Sequence, residues 1–543
     1  LRDAGQGEPL RQLLQVIAEQ VGVVEEDIAQ LYENWFIETA QDWVVPYIGD
    51  LLGYTPVHEA GQPNSATPAL DKILFPRREV ANTLGARRRK GTLALLEELG
   101  RNVAGWPTRA VEFYRYLVQS QNLAHLRPLR GRSVDLQGGD ALDLLGSPFD
   151  PLAHSVDLRR INSTLAQGRY NLPSVGLFVW RLCSYPLTKS PATCIEEVGP
   201  NCFSFSVLGN DAPLFARPQA EPGPSSIAGE ANLPLAIRRR ALEKTPESYA
   251  GEGRSLVIYR GQKKGGKIEI GSPVAASDLI AADLSGWQYQ PRRGKVAVDP
   301  LLGRMVFHPR ETPLAVWVSY YYGFSADIGG GEYFRPITTW PDDQTFYQPV
   351  SKWGQVSSLE QALEVWEPHR QNQPKAIIEI GDSEVYSEQL SLTLHAGEHL
   401  EIRAANRTRP VIYLLDRERN QPDSLTVIGE AGEQGESQAP CLGRLTLDGL
   451  LITGRAVHLE GALQSVHIRH CTLVPGWGLE HDCESEPPAE PSLEIYQTKA
   501  RVRIEKSILG SIQVYQDEVG ADPTPIYISD SVLDATSLER EAV

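Results

Sequence analysis

The last 200 or so residues constrain the fold most tightly. Short alternating runs recur there as AIIEI, LSLTL, HLEIRA, VIYL, LTVIG, RLTLDGLLITG, AVHLEG, SVHIRHCTLV, SLEIY, RVRIEKSIL, SIQVY and IYISDSVL, most of them four to six residues long. A turn residue follows each apolar-polar-apolar pattern. A chain that coils such strands over one another buries an apolar column through every rung and leaves the polar alternates outside. An antiparallel sandwich is the competing arrangement, but dedicated hairpin turns such as Asn-Gly are missing between the runs. The pattern predicts a parallel β-helix over 341–543, expected to be right-handed and pectin-lyase-like.

A chain of 543 residues far exceeds the roughly 250–300 at which one core stops growing, so several domains are expected. Residues 1–130 read as helical. PLRQLLQVIAEQVGVVEEDIAQLYENWF places Leu10, Leu13, Leu14, Ile17, Val21, Val24, Ile28 and Leu31 at three- and four-residue steps, a face that must pack on something. GTLALLEELG predicts a second helix, with Thr92 as N-cap and Gly100 as its stop, and a third is expected from Thr108 through VEFYRYLVQSQNLAHL. HEAGQPNSATPAL reads as a polar loop. Residues 131–169, with DLQGGDALDLLGSPFDPLAHSVD, read as an extended linker. The stretch 170–340 reads as a β-rich middle domain carrying VGLFVWRL, FSFSVL, SLVIYR, KIEI, KVAV, RMVF and AVWVSYYYGF, with 217–232 a surface loop. The expected fold class is multidomain α+β.

Hydrophobic residues at 41% and charged residues at 22% argue against wholesale disorder and against a membrane protein. No stretch approaches the ~20 apolar residues of a membrane span, and LRDAGQGEPL lacks the basic start and apolar centre of a signal peptide. A net charge of -17 argues against nucleic acid as a partner of the whole chain, since phosphate must be neutralised by Lys and Arg. Any basic site must be local. Cys183, Cys194, Cys202, Cys441, Cys471 and Cys483 form no C-x-x-C pair and read as reduced thiols of a cytosolic compartment. The alternative is a disulfide or metal among Cys183, Cys194 and Cys202, whose spacings fit no standard zinc pattern.

Catalytic punctuation is nearly absent: there is no G-x-x-x-x-G-K-[ST], H-E-x-x-H, G-x-S-x-G or dinucleotide fingerprint. No cofactor is expected. Gly329-Gly330-Gly331 lacks a following Lys and hydroxyl residue and reads as a hinge or turn. The basic run Arg87, Arg88, Arg89 and Lys90 is either a solvated flank or a dock for an acidic partner, with nucleic acid the third alternative. Trp35, Phe36, Trp43 and Tyr47 sit at near-helical spacing and serve either core packing or partner contact. Glycosidases and polysaccharide lyases are often built on β-solenoids with paired carboxylates. Asp448, Glu460, Asp482 and Glu484 are the candidates for such a pair, which would need a ~5–10 Å separation. On that alternative, a polysaccharide-binding or -cleaving, tailspike-like protein, Trp477 is the candidate glycan-binding aromatic.

Three stretches carry a family resemblance: NWFIETAQDWVVPYIGDLLG at 34–53, ARRRKGTLALLEELGRNVAGWPTRAVEFYRYLVQSQNLAHLR at 86–127, and VDPLLGRMVF with VSYYYGFSADIGGGEY at 298–333. On these the chain resembles the phage tail protein I family, in the longer version found in contractile injection systems. The resemblance implies a structural, non-enzymatic part of a baseplate wedge that pairs with baseplate-J-like subunits. A helical bundle and a three-way junction would tie wedges into a six-fold ring. It carries the bundle role to the helix near 8–36 and the junction role to helices within 79–127, with Trp35, Trp43, Tyr47 and the run Arg87 to Lys90 as interface residues. Other baseplate, hub and spike proteins, sheath and tail fibres are the further implied partners. The setting implied is cytoplasmic assembly into a tail-like particle, whether virion-like, released or membrane-anchored, without insertion of this chain in a membrane.

Overall fold

The structure is a computed structural model and describes residues 9–55, 77–104, 106–120, 122–126, 133–134, 139–142, 144–157, 169–220, 230–414, 425–430, 442–476, 478–480, 482–486, 490–516, 523–537 and 539–543. The chain is mixed helix and sheet, with a small helical region at the N-terminus and large parallel sheets in the C-terminal half. It divides into two units, Leu1–Arg181 and Leu182–Val543.

In the first unit, α1 spans Pro9–Glu33, α2 Val45–Leu51, α3 Arg77–Arg88 and α4 Leu93–Ala104. Thr92 caps α4 through its hydroxyl, which accepts from Leu95 N at 3.3 Å. Gly100 does not end that helix. It lies inside it, at a point of close approach where a side chain would meet Thr108 at 2.9 Å and Leu177 at 3.1 Å. The third expected helix is absent: Thr108–Glu112 is strand β1, followed by a 3-10 turn over Phe113–Tyr116. Thr108 and Ala110 point inward and Arg109 outward, a period of two that short apolar runs share with helical patterns. β1 pairs antiparallel with β2, Val175–Val179, so the sequence VGLFV belongs to this unit and not to the β-rich middle domain.

Part of the stretch expected as a linker is folded. Tyr116 donates to Pro148 O at 2.7 Å, and backbone bonds join Val118 to His154 and His154 to Tyr116. The fully enclosed Asp150 carboxylate lies 2.8 Å from His154 Nε2 and accepts from Gly146 N and Leu152 N. His154 stacks on Tyr170 at 3.8 Å. Burial acts first, pushing the Asp150 carboxyl upward, but the Gly146 and Leu152 amides and His154 outweigh it and hold the group below the usual carboxylate range.

The second unit opens with two sheets that share one core. One has the order β4 (Thr193–Cys194), β5 (Cys202–Ser204), β10 (Arg304–Phe307), β9 (Val296–Asp299), β8 (Leu279–Ala281). The other runs β3 (Cys183–Pro191), β11 (Val316–Phe324), β6 (Leu256–Lys264), β7 (Lys267–Pro273). Phe205, Leu214, Leu256, Ile258, Met305 and Phe307 are almost wholly enclosed between them. The VDPLLGRMVF stretch is the β9–β10 hairpin, and its two charges are structural. Asp299 takes both guanidinium arms of Arg239, in the short helix α5 (Arg239–Lys244), at 2.9 and 2.7 Å. Arg304 grips Asp211 at 2.6 and 2.7 Å.

From Thr345 onward the chain passes through three parallel sheets in rotation, and the alternating runs read from the sequence are their strands. The first sheet stacks Thr345–Val350, Lys375–Ile380, His399–Ala404, Gly443–Asp448, Leu463–Arg469, Arg501–Glu505 and Ile526–Ser529. Inward positions fall in register as Ile378, Ile402, Leu447, Ile468 and Ile504 on this sheet, and the column ends at the last rung, where Ile528 is 38% exposed. Tyr386, Ile412, Ile452, Leu473, Leu509 and Leu533 do the same on the second, and Leu392, Val427, Leu459 and Ile495 on the third. Each enclosed Ile, Leu or Val contributes about 1.5–3 kcal/mol of transfer free energy, so the column is the main stabilising element of this half. Helix α7 (Leu359–Trp366), reached after α6 (Pro246–Tyr249), buries Leu359, Ala362 and Trp366 completely in the same core. Its N-terminus is capped by Ser358 and by the Glu388 carboxylate, which accepts from Leu359 N and Glu360 N.

Outward positions on the first sheet form a second register column, Glu379, Arg403, Asp448, Arg469, Glu505, in which charges alternate from rung to rung. Arg403 meets Glu379 at 2.8 Å and Arg469 meets Asp448 at 2.9 Å. The residue after each of the last four strands, Gly449, His470, Lys506 or Asp530, turns the corner with φ between +48° and +76°. Along this corner runs the segment 325–340. Gly329 N donates to Lys506 O, Gly330 N to Thr472 Oγ1, and Arg335 to the carbonyls of Gly331, Ala405 and Thr408. Arg469 and Arg403 in turn donate to Pro336 O and Thr339 O. The glycine triplet read as a hinge or turn is thus a strap laid on the sheet. A side chain at Gly330 would sit 2.8 Å from Leu450 O, and one at Gly331 2.7 Å from the Tyr333 ring.

Candidate partner interface

The first unit places its largest apolar surface outward. Along α1, Leu10, Leu14, Ile17, Val21, Val24, Ile28 and Leu31 are each 50–62% exposed, and their spacing alternates four and three. That alternation is a 3.5-residue repeat, the period at which a helix keeps one seam facing a neighbouring helix. Leu13, Val16 and Val23 widen the seam and are also exposed. A soluble chain rarely leaves so broad an apolar stripe to water unless another surface covers it.

The aromatic series continues this surface. Trp35 is 84% exposed, Tyr32 meets Phe36 edge-on at 5.4 Å, and Trp43 meets Tyr47 edge-on at 6.2 Å, with Leu51 one turn further on and almost fully exposed. Core packing, one of the two alternatives for Trp35, Phe36, Trp43 and Tyr47, does not describe them: the first, third and fourth are open, and Phe36 is half so.

The basic run separates into two pairs. Arg87 donates to Leu52 O at 2.9 Å and Gly53 O at 2.5 Å, closing the carbonyl end of α2. Arg89 pairs with Glu98 across the α3–α4 turn and reaches Gly85 O. Arg88 and Lys90 are exposed and have no ion-pair partner among the described residues. At the other end of α3, Arg77 does for residues 37–42 what Arg87 does for α2, donating to Ile37 O, Ala40 O and Asp42. Tyr54 donates to Glu79 at 2.5 Å, and burial together with that carboxylate pushes the phenol well up. α3 is thereby a splint that fixes the aromatic segment 35–54.

The four candidate carboxylates lie in three settings. Asp448 lies in the outward charge column, bound by Arg469 with Arg335 at 3.9 Å. Glu460 stands 3.6 Å from His458, whose other nitrogen is 3.3 Å from Glu494. The Glu494 hydrogen bond, more than any other cause, raises the His458 pKa. Asp482 and Glu484 are exposed on a small hairpin in which Gly478–Leu479 pairs with Ser485–Glu486. Trp477 and Cys441 lie outside the described residues. Cys183, Cys194, Cys202, Cys471 and Cys483 are free thiols, so the disulfide alternative among the first three does not hold. Burial raises the thiols of Cys194 and Cys202 and pushes that of Cys471 up to about 12. Among the described residues no group of three His, Cys, Asp or Glu is placed to hold a metal ion, and no helix is long and apolar enough to cross a membrane.

Sequence reasoning missed the Asp150–His154–Tyr170 staple and the carbonyl-binding roles of Arg77, Arg87 and Arg335. The i,i+4 spacing of Asp150 and His154 offered a local signal, whereas Tyr170 lies 20 positions from Asp150 and the carbonyls held by Arg77 and Arg87 lie 34 or more positions away. Comparison with known proteins adds no neighbour: no family model, no curated protein and no solved structure matches the chain.

Proposed function

We propose that the chain is a structural, non-enzymatic component of the baseplate wedge of a phage-tail-like contractile injection system, pairing with baseplate-J-like subunits in a six-fold ring. The three-sheet region is, in this proposal, a right-handed parallel β-helix. One observation carries it: the 3.5-residue apolar seam of α1 lies open over its whole length. A helix of 25 residues cannot cover that seam alone, and a bundle with helices of other subunits is the arrangement that does. The exposed Trp43 and Tyr47, backed by the α3 splint, offer a pre-ordered aromatic anchor, the side-chain type that dominates interface centres. Arg88 and Lys90, exposed at the end of α3, would meet an acidic partner surface. The glycan alternative asks for two free carboxylates flanking one bond. Asp448 is bound by arginine and Glu460 is next to His458, which favours the structural reading over a catalytic pair built from those two.

The test is copy counting in purified particles by quantitative mass spectrometry and cryo-EM. Six copies per baseplate, with density for Pro9–Glu33 inside a helical bundle, is the expected result. Finding the chain in the sheath, or outside the particle altogether, overturns the proposal.

A further inference from the structure

Two enclosed carboxyls sit where the paired sheets of the second unit meet the first coil of the three-sheet region, and neither has an arginine directly upon it. Glu384 is 7% exposed, and its Oε1 accepts from the indole Nε1 of Trp317 on β11 at 2.9 Å. Trp317 itself packs with Val257 and Tyr259 on the outer side of its sheet. Glu332, on the strap, is 5% exposed and accepts from Thr188 N of β3 at 2.8 Å and from Ser383 Oγ at 2.5 Å. The turn 382–384 therefore holds the paired sheets twice, once through Glu384 to β11 and once through Ser383 and Glu332 to β3.

The charged groups around Glu384 come from three elements. On its own turn, Asp382 binds Ser351 Oγ, Lys352 N and the Tyr386 hydroxyl at 2.7–2.8 Å. From the loop after Thr345–Val350 come Lys352, which donates to Val385 O and lies over the Tyr386 ring, and Trp353, whose indole opposes the rise in the Glu384 pKa. From beyond Ser383 comes Arg409, whose backbone N donates to Ser383 Oγ and whose guanidinium acts on Glu332, Tyr320 and Tyr322. Burial pushes Glu384 up to about 7 and Asp382 pushes the same way, while the two indoles and Lys352 only partly oppose them. Burial likewise raises Glu332 against its donors and Arg409.

We infer that this seam is a proton-dependent latch: with a proton on Glu384 the paired sheets and the first coil close on each other, and ionisation of that carboxyl beside Asp382 loosens them. In the opened state the carboxyl returns to water and to the ordinary value near 4.5. The closed state binds the proton more tightly, so its advantage is whole at low pH and is lost as pH rises from 4.5 towards 7, with no further loss above. The opening equilibrium then rises by up to about tenfold per pH unit across that window.

The experiment is hydrogen exchange by mass spectrometry on the full chain at pH 5.0, 6.0, 7.0 and 8.0, corrected for the intrinsic exchange rate. Readouts are peptides covering β11 and residues 381–388, with peptides from Arg501–Glu505 as the internal reference. Wild type is expected to lose protection at the seam between pH 5 and 7 and then level off, with the reference unchanged. Glu384→Gln keeps an acceptor for the Trp317 indole without the charge and is expected to stay protected at every pH. Trp317→Phe, which removes one donor, is expected to open at lower pH than wild type. The inference is overturned if Glu384→Gln follows the wild-type profile, or if it is unprotected throughout, since the carboxylate would then be the closing form.

Discussion

At the scale of single residues, the second unit is held by charges placed where water cannot reach them. Asp448, Arg469 and Arg335 are each under 8% exposed, and Arg469 also satisfies Pro336 O of the strap. Removing one member of such a set leaves an uncompensated buried charge, a loss of about 3–5 kcal/mol. Asp448→Ala, which strands both arginines, should lower the unfolding free energy by about that amount, read as a lower urea midpoint at an unchanged slope; a change of less than about 1 kcal/mol would show that water reaches the site. Asp448 was visible in the sequence only as one acidic residue among four. Its partner lies 21 residues downstream, the length of one particular coil, and nothing short of the register reveals that two outward charges fall one above the other.

At the scale of elements, legibility followed periodicity. α1 was readable because three- and four-residue steps persist for 25 residues, and the C-terminal strands were readable because alternation recurs with turn residues between. β1 was not. Five residues after Pro107 carry too few periods to separate strand from helix, and β2, the partner that decides the matter, lies more than 60 residues away. The corners escaped for another reason: His470, Lys506 and Asp530 adopt a left-handed backbone that sequence reading assigns to glycine. The strap uses glycine both ways: Gly329 takes φ +79°, while Gly330 and Gly331 serve close approach. Gly330→Ala should push the Leu450 carbonyl away and break the Gly330–Thr472 bond, costing about 2–3 kcal/mol through strain and an unpaired polar group. Gly397→Ala is a useful contrast, as nothing lies within 4 Å of its added carbon and its backbone, at φ +86°, accounts for any loss. Thermal melting of the two variants separates close approach from backbone freedom: equal losses would deny the strap its special role.

At the scale of the whole molecule, the wedge proposal divides stability and assembly between the two units. Leu182–Val543 buries its apolar columns within itself, whereas Leu1–Arg181 exposes the side chains that a partner would bury. Substitutions there should therefore separate folding from binding. Val21→Glu with Ile28→Glu alters two side chains that are already half or more in water, so the melting temperature of the purified chain should hold within the ±0.5 kcal/mol expected of surface changes. Recruitment into particles, scored by co-purification with the wedge, should fall to background, since two acidic groups in a 3.5-residue seam leave charges buried without partners. Arg88→Glu with Lys90→Glu should act more mildly, slowing association and reversing its salt dependence while leaving the bundle intact. Arg87→Glu must behave differently if the splint is real. It strips the Leu52 and Gly53 carbonyls of their donor and should destabilise the isolated chain, whatever the partner. Equal behaviour of the Arg87 and Arg88–Lys90 variants in both assays would mean that the four cations act as one solvated patch, and that docking rests on the apolar seam alone.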